Sequence, residues 1–350
     1  MSRLDDTLAL VSIASVSRSE AALATHIEKL LVTNSALEVT RIADNVIART
    51  TGSLPERVLI AGHIDTVPGE ASEAKIVGDV LHGVGSCDMK GSVAVMLELA
   101  MSSKPRSTEI TWVFYAKEEI ARSESGLHEV LTANPQLLKA DVAILGEPSD
   151  GGVEAGCQGS LRIEIQLKGA RAHTARPFTG RNAVHRAGEV ISKIAAYTPR
   201  EVTIDGATYV EQMQVVAVNG GISPNVVPDA ASLTVNHRFA PDKNADEALE
   251  SIKQLLGSSI EEGDAIQIID SAPSAAPSLK NSRLKSLVSL TGVPVRGKLG
   301  WTDVATFAEL GIPATNFGAG DPLLAHRSDE FVTLNEIDEY ARVLDQWLSN

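Results

Sequence analysis

The feature that most restricts this chain is the alternation of apolar strand-like runs with helical segments through its first 150 residues. The runs RVLIAGHID, EITWVFYA and DVAILG are interleaved with a helical pattern near 19 to 32 and a second over MKGSVAVMLELAMSS. Strands that alternate with helices read as a layered α/β sheet with helices on its faces. From Leu161 to Asp270 the rhythm changes to LRIEIQLKG, a helix over 181 to 196, YVEQMQVVAVNG, SLTVNHRF, a helix over 244 to 256, and AIQIID. That β-α-β-β-α-β order is the ferredoxin-like motif of an α+β domain.

Gly-rich DGGVEAGCQGS precedes this segment and SAPSAAPSL follows it, compositions that suit crossings between domains. The smaller domain is therefore expected as an insertion, with one domain at 1–158 and 275–350 and the other at 159–274. A helix near 281 to 290, a helix starting near Asp303, the strand PATNFG and a helix from Leu334 complete the first domain. At 350 residues the chain is long enough for two cores.

A net charge of −14 argues against nucleic acid or an anionic membrane as partner, because phosphate-binding surfaces cluster Lys and Arg. Any anionic ligand needs a locally positive pocket. No run reaches the roughly 20 apolar residues of a membrane span. Only Cys87 and Cys157 occur, too few for a disulfide framework, and the N-terminal stretch lacks the pattern of a secretion signal, so a cytoplasmic location is expected.

Chemistry concentrates at the ends of the apolar runs. His63 and Asp65 are two residues apart at a strand end and point to one face, so that His63 can ligate a cation while the Asp65 carboxylate accepts the second N–H of the imidazole and orients it. The pair alone is as compatible with an ordinary surface strand end. Glu118 and Glu119 follow WVFYAK, Glu147 follows DVAILG, and His326 lies in the loop after ATNFG. Ligands of open α/β sheets bind outside the carboxyl ends of the strands. Each acid singly reads as a solvated loop carboxylate, yet adjacent Glu118 and Glu119 repel each other, a cost that a bound cation removes.

Asp88, in the Gly-rich HGVGSCDMKGS, is either a helix cap or a carboxylate bridging two metals about 3.5 to 4 Å apart. Neighbouring side chains in an extended segment point oppositely, so one of the two glutamates is expected to bind metal while the other faces water. His26, His82, His128, His185 and His237 have no converging acid in sequence and read as surface or packing residues. Cys87 and Cys157 read as small buried thiols.

The motifs GHIDTVP, GVGSCDMKG, YAKEEI, GEP and AHRSDEF, in this order and spacing, resemble the aminoacylase and carboxypeptidase family of two-zinc hydrolases. The resemblance spans nearly the whole chain. It implies two divalent metal ions, zinc first with cobalt or manganese as alternatives, bridged by Asp88, with His63 and Glu147 on one and Glu119 and His326 on the other. It also implies Glu118 as general base, with Asp65 in a catalytic role as the residue that orients His63, a cis peptide after Asp88, and an inserted domain that dimerises as a lid. His173, in KGARAHTARP, matches a family position that reaches into the partner subunit's site to stabilise the oxyanion; by itself it reads equally well as a loop histidine.

Within the family, EAGCQGSLR and GWTDVATFAELGIPATNFGAGDPLLAHRSDEF look most like the actinobacterial members that release succinate from N-succinyl-LL-2,6-diaminopimelate. GWTD departs from the GTSD-like sequence of many relatives, which puts the pocket contacts of Gly300 to Asp303 in question. For a substrate with several carboxylates, Arg238 and Asn225 are the candidate contacts, although Arg238 could equally form an ion pair within its own domain. Competing activities are acetylornithine-type deacylation and dipeptide cleavage. A protein that binds acylated amino acids without cleaving them would be expected to lack Glu118 or a ligand, and this chain has all of them.

Overall fold

The computed structural model describes residues 2–69 and 73–350, which divide into two compact units. The first comprises Met1–Ala155, Pro277–Arg296 and Thr306–Asn350. Its eight-stranded sheet runs in the order Leu37–Ile42, Asn45–Thr50, Glu109–Tyr115, Arg57–His63, Val142–Leu145, Ala314–Asn316, Glu154–Ala155, Arg296–Gly297. The four middle strands, from Glu109–Tyr115 to Ala314–Asn316, are parallel, and the Leu37–Thr50 hairpin is added antiparallel. Glu109–Tyr115 is buried throughout, as is Val142–Leu145. This is why these strands are continuous apolar runs rather than alternating ones: both of their faces are covered.

The Gly91–Met101 helix is apolar nearly all round and almost wholly buried, as a helix covered on every side must be. Leu334–Ser349 instead buries one stripe, including Ile337, Leu344 and Trp347, and starts at a reciprocal cap between Thr333 and Glu336. Among the described residues no helix is long and apolar enough to cross a membrane.

The second unit comprises Gly156–Ala276 and Gly297–Ala305. Its antiparallel sheet runs Gln212–Gly220, Ala230–Phe239, Gly159–Lys168, Ala265–Ala272. The helices Ala183–Ala195 and Ala245–Leu256 pack with it around Ile163, Ile165, Val190, Val235 and Ile252. Period-two burial along Ala230–Phe239 marks a sheet with one packed face. The order of elements is the expected β-α-β-β-α-β, with one addition.

The stretch read from sequence as a single strand, YVEQMQVVAVNG, is broken at Glu211. Its first part pairs in a hairpin, Glu201–Ile204 with Ala207–Val210, turned by Asp205 and Gly206 at φ +46° and +87°. The break follows from burial of the Glu211 carboxylate, which accepts from Arg200, Lys243 and Tyr197 and from the Ala240 N–H. An Asp-Gly pair between apolar runs is itself a hairpin signal.

Candidate metal centre

Six of the singled-out residues meet beyond the carboxyl ends of the parallel strands. His63 closes Arg57–His63, Glu118 and Glu119 follow Glu109–Tyr115, and Glu147 follows Val142–Leu145. Gly318 lets the chain after Ala314–Asn316 pass close to Glu147: a Cβ there would lie 2.0 Å from the Gly146 carbonyl oxygen. Asp88 sits in the tight turn Ser86–Lys90, closed by an N–H of Lys90 donating to the Gly85 carbonyl, and its peptide bond to Met89 is cis as the family likeness implies.

His63, Asp88 and Glu147 are all buried and offer donor atoms that lie within 4.8 Å of one another; Asp88, Glu119 and His326 form a second such group. Asp88 belongs to both. Its Oδ1 is 3.0 Å from His63 Nε2 and its Oδ2 is 3.6 Å from His326 Nε2, while His326 Nε2 is 2.8 Å from Glu119 Oε2. Ligand atoms about 2.1 Å from a tetrahedral zinc lie roughly 3.4 Å apart, so these separations suit two ions sharing one carboxylate. The donor set, imidazole nitrogen and carboxylate oxygen, fits divalent transition metals. Three ligand carboxylates set −3 against the +4 of two such ions.

The carboxylates draw both imidazoles toward the charged form. Burial opposes charge on His63, but hydrogen bonds to Asp65 and Asp88 prevail and raise its pKa well above the ordinary value. The hydrogen bond to Glu119 raises His326 to about 8 against partial burial. A site that stabilises positive charge on its ligands is equally suited to a cation in place of those protons.

Two expectations about this site are corrected, the first only in part. Asp65 is expected to orient His63 through its carboxylate; that carboxylate does pair with His63 Nδ1, at 3.5 Å, but the closer contact, at 3.0 Å, is the Asp65 main-chain oxygen. The carboxylate accepts the backbone N–H groups of Glu118 and Glu119 at 3.0 and 3.1 Å and the Ser17 hydroxyl at 2.7 Å. Burial works against its ionisation, yet these contacts and His63 keep its pKa below the usual carboxylate value.

The second correction concerns Glu118 and Glu119, which do not diverge. Both offer oxygens to a group with His63. The segment is not extended there, since Lys117 is left-handed at φ +63° and Asp65 gathers both following amides.

Sequence reasoning missed the supports of the Asp88 turn. Buried Glu330 accepts the backbone N–H groups of Cys87 and Asp88 at 2.9 and 3.0 Å, and burial pushes its pKa up to about 7. Its place inside the AHRSDEF motif was the available signal. Lys90, also buried, donates to the carbonyls of Leu10 and Ile13 and so ties the turn to the Arg3–Val11 helix.

The other three candidates belong to the second unit. His173 is exposed, and its Nδ1 accepts the Ala175 N–H at 3.0 Å, which leaves Nε2 as the ring nitrogen able to donate. Asn225 is its neighbour: the Thr174 N–H donates to the Asn225 carbonyl at 3.1 Å. Arg238 is half-buried on Ala230–Phe239 and forms no ion pair among the described residues, whereas nearby Arg162 pairs with Asp270 at 3.6 Å. Burial and the charge of Arg162 hold its pKa below the ordinary arginine value. His237 is a packing residue between Tyr197 and Phe239, and Cys87 and Cys157 are buried free thiols with raised pKa values.

Comparison with known proteins shows the family of the chain. A Mycobacterium tuberculosis protein provisionally named succinyl-diaminopimelate desuccinylase DapE is 44% identical over 346 residues, covering 98% of this chain and 96% of that one. The succinyl-diaminopimelate desuccinylase of Corynebacterium glutamicum is 41% identical over 351 residues, covering 98% and 95%. A Staphylococcus aureus tripeptidase superposes with a TM-score of 0.81 at 19% identity over 99% of this chain and 97% of that one, a likeness of fold. The model of peptidase family M20/M25/M40 matches residues 59–350, which contain every residue of the Asp88-centred cluster, and the chain belongs to that family.

Proposed function

We propose that this metal-dependent amidohydrolase cleaves N-succinyl-LL-2,6-diaminopimelate to succinate and LL-2,6-diaminopimelate, a step of lysine and diaminopimelate biosynthesis in the cytoplasm. The reading is carried by the Asp88-centred double cluster, found in a chain 41% identical over nearly its full length to a desuccinylase. His63, Glu147 and Asp88 would hold one divalent ion and Asp88, Glu119 and His326 the other, with zinc the first choice and cobalt or manganese compatible. Ions held by these residues would supply polarisation of the amide carbonyl and a water whose pKa is lowered toward about 7.

The chain's own groups perform the proton transfers and the positioning. Glu118 accepts the proton of the attacking water and passes it to the amine nitrogen as the C–N bond breaks. Asp65 fixes Glu118 through its main chain, and Glu330 fixes Asp88 in the same way. His173 of the partner subunit donates from Nε2 to the oxygen that gains charge in the tetrahedral intermediate. Arg238 and Asn225 contact substrate carboxylates, Arg238 having no carboxylate partner of its own among the described residues.

The inserted 159–274 segment serves as dimerisation domain and lid. Supporting this, its edge strand Gln212–Gly220 carries exposed Val216 and Val218, an apolar edge suited to pairing with a second copy. The test compares N-succinyl-LL-2,6-diaminopimelate, N-acetylornithine and a dipeptide on one zinc-reconstituted sample. The succinyl substrate is expected to lead in kcat/KM by about 100-fold or more, since a site built for polar groups rejects analogues lacking them. Preference for either other substrate overturns the assignment.

A further inference from the structure

The end of the first unit's sheet opposite His63 carries a basic groove. Arg57 opens the strand that His63 closes, so roughly 20 Å of extended chain lies between the two ends. Arg49 pairs with Thr111, and Thr111 with Leu59, which places Arg49 and Arg57 on one face of the sheet. Together with Lys139 they line a groove of about 600 Å3 whose apolar walls include Leu131, Leu138 and Ile312.

Acids answer the charge of Arg57, whereas Arg49 and Lys139 form no ion pair among the described residues. Asp141, the carboxylate of the lining, is engaged by the Arg57 backbone N–H at 2.8 Å. The Arg57 guanidinium donates to the carbonyls of Ile110 and Thr50 and to the Thr111 hydroxyl, and it pairs with Glu109 at 3.8 Å. Arg49 donates from Nη1 to the Gln136 carbonyl at 3.3 Å, while its buried Nε has no partner and the side chain forms no ion pair among the described residues. Burial and then the nearby charge of Arg49 press the Arg57 pKa down, against the opposing pull of Glu109 and Asp141.

We infer that this groove binds a small molecule carrying an oxyanion, carboxylate or phosphate, on an apolar body. The fork of a guanidinium matches two oxygens of such a group, and Arg49 has no carboxylate partner of its own among the described residues. The exposed Lys139 adds a third charge, and the apolar walls receive the rest of the ligand. The volume is in the range of small-molecule sites.

The test is calorimetric titration of the zinc-loaded protein with phenyl phosphate and, separately, with benzoate at constant ionic strength, repeated on Arg49→Gln and Lys139→Gln. The wild-type protein is expected to bind at least one of these probes, and Arg49→Gln to weaken that binding about tenfold or more, the worth of a charge-assisted hydrogen bond. Lys139→Gln, a surface change without effect on folding, weakens it less, and turnover without the probe stays at the wild-type level in both variants. Absence of binding by the wild-type protein, or equal affinity in all three proteins, overturns the inference. Because any binding at the metal centre is common to all three, it cannot imitate the expected difference.

Discussion

Asp65 holds Glu118 by its main chain rather than by its carboxylate: Asp65 Oδ1 accepts the Glu118 N–H at 3.0 Å, and Oδ2 accepts the Glu119 N–H at 3.1 Å. One buried carboxylate thereby sets the position of both adjacent acids, one proposed as base and the other as ligand. Asp65→Asn presents an NH2 group to at least one of these N–H donors. Its kcat or metal affinity is expected to fall about 10- to 100-fold, the usual effect of losing a group that orients ligands. Steady-state kinetics with metal analysis checks this, and an unchanged variant would show that the turn is fixed by other contacts.

A site completed across two subunits has a quantitative signature. Glu118→Gln and His173→Ala homodimers are each expected to lose most activity. Mixing and re-equilibrating them in equal amounts should restore about a quarter of wild-type activity, because half of the dimers then have one intact site of two. Additive residual activities in the mixture would place His173 and Glu118 in the same subunit's site or remove His173 from the reaction.

The sequence made the parallel strands legible because their burial on both faces leaves continuous apolar runs, and the strand ends carried the ligands with them. What it could not convey was main-chain geometry. Glu330 serves amides more than 240 positions away, at Cys87 and Asp88, and no local pattern announces such a contact. The convergence of Glu118 and Glu119 likewise depends on a left-handed Lys117 and on Asp65, so the alternation of an extended strand was the wrong rule for that segment. The hairpin turned at Asp205 and Gly206 was legible, but the apolar run beyond Glu211 masked it.

The second unit contains an acid-sensitive ion pair. Arg186 forms a two-pronged contact with Asp264 at 2.6 and 2.8 Å, both side chains being nearly inaccessible, and this holds the Asp264 pKa far below the usual carboxylate value. A carboxylate depressed on folding contributes stability above its unfolded pKa near ~4, and the contribution fades as pH falls toward the folded value. Asp264→Asn is expected to lose about 2 kcal/mol at pH 7, since it leaves the buried guanidinium with only its longer contact to Glu261 at 3.6 Å. Urea unfolding should show the gap between wild type and variant closing as pH falls below ~4; a constant gap would assign the loss to packing rather than charge.

The most direct measurement of the central claim is succinate release from N-succinyl-LL-2,6-diaminopimelate by chelator-treated protein as zinc is returned, with Glu118→Gln in parallel. Activity should climb to a plateau at two equivalents of zinc per chain, and Glu118→Gln should take up the same zinc while losing about 100- to 10,000-fold in turnover. Saturation at one equivalent would contradict the Asp88-bridged pair, an active Glu118→Gln would contradict the assignment of the base, and no release at any zinc content would contradict the proposed reaction.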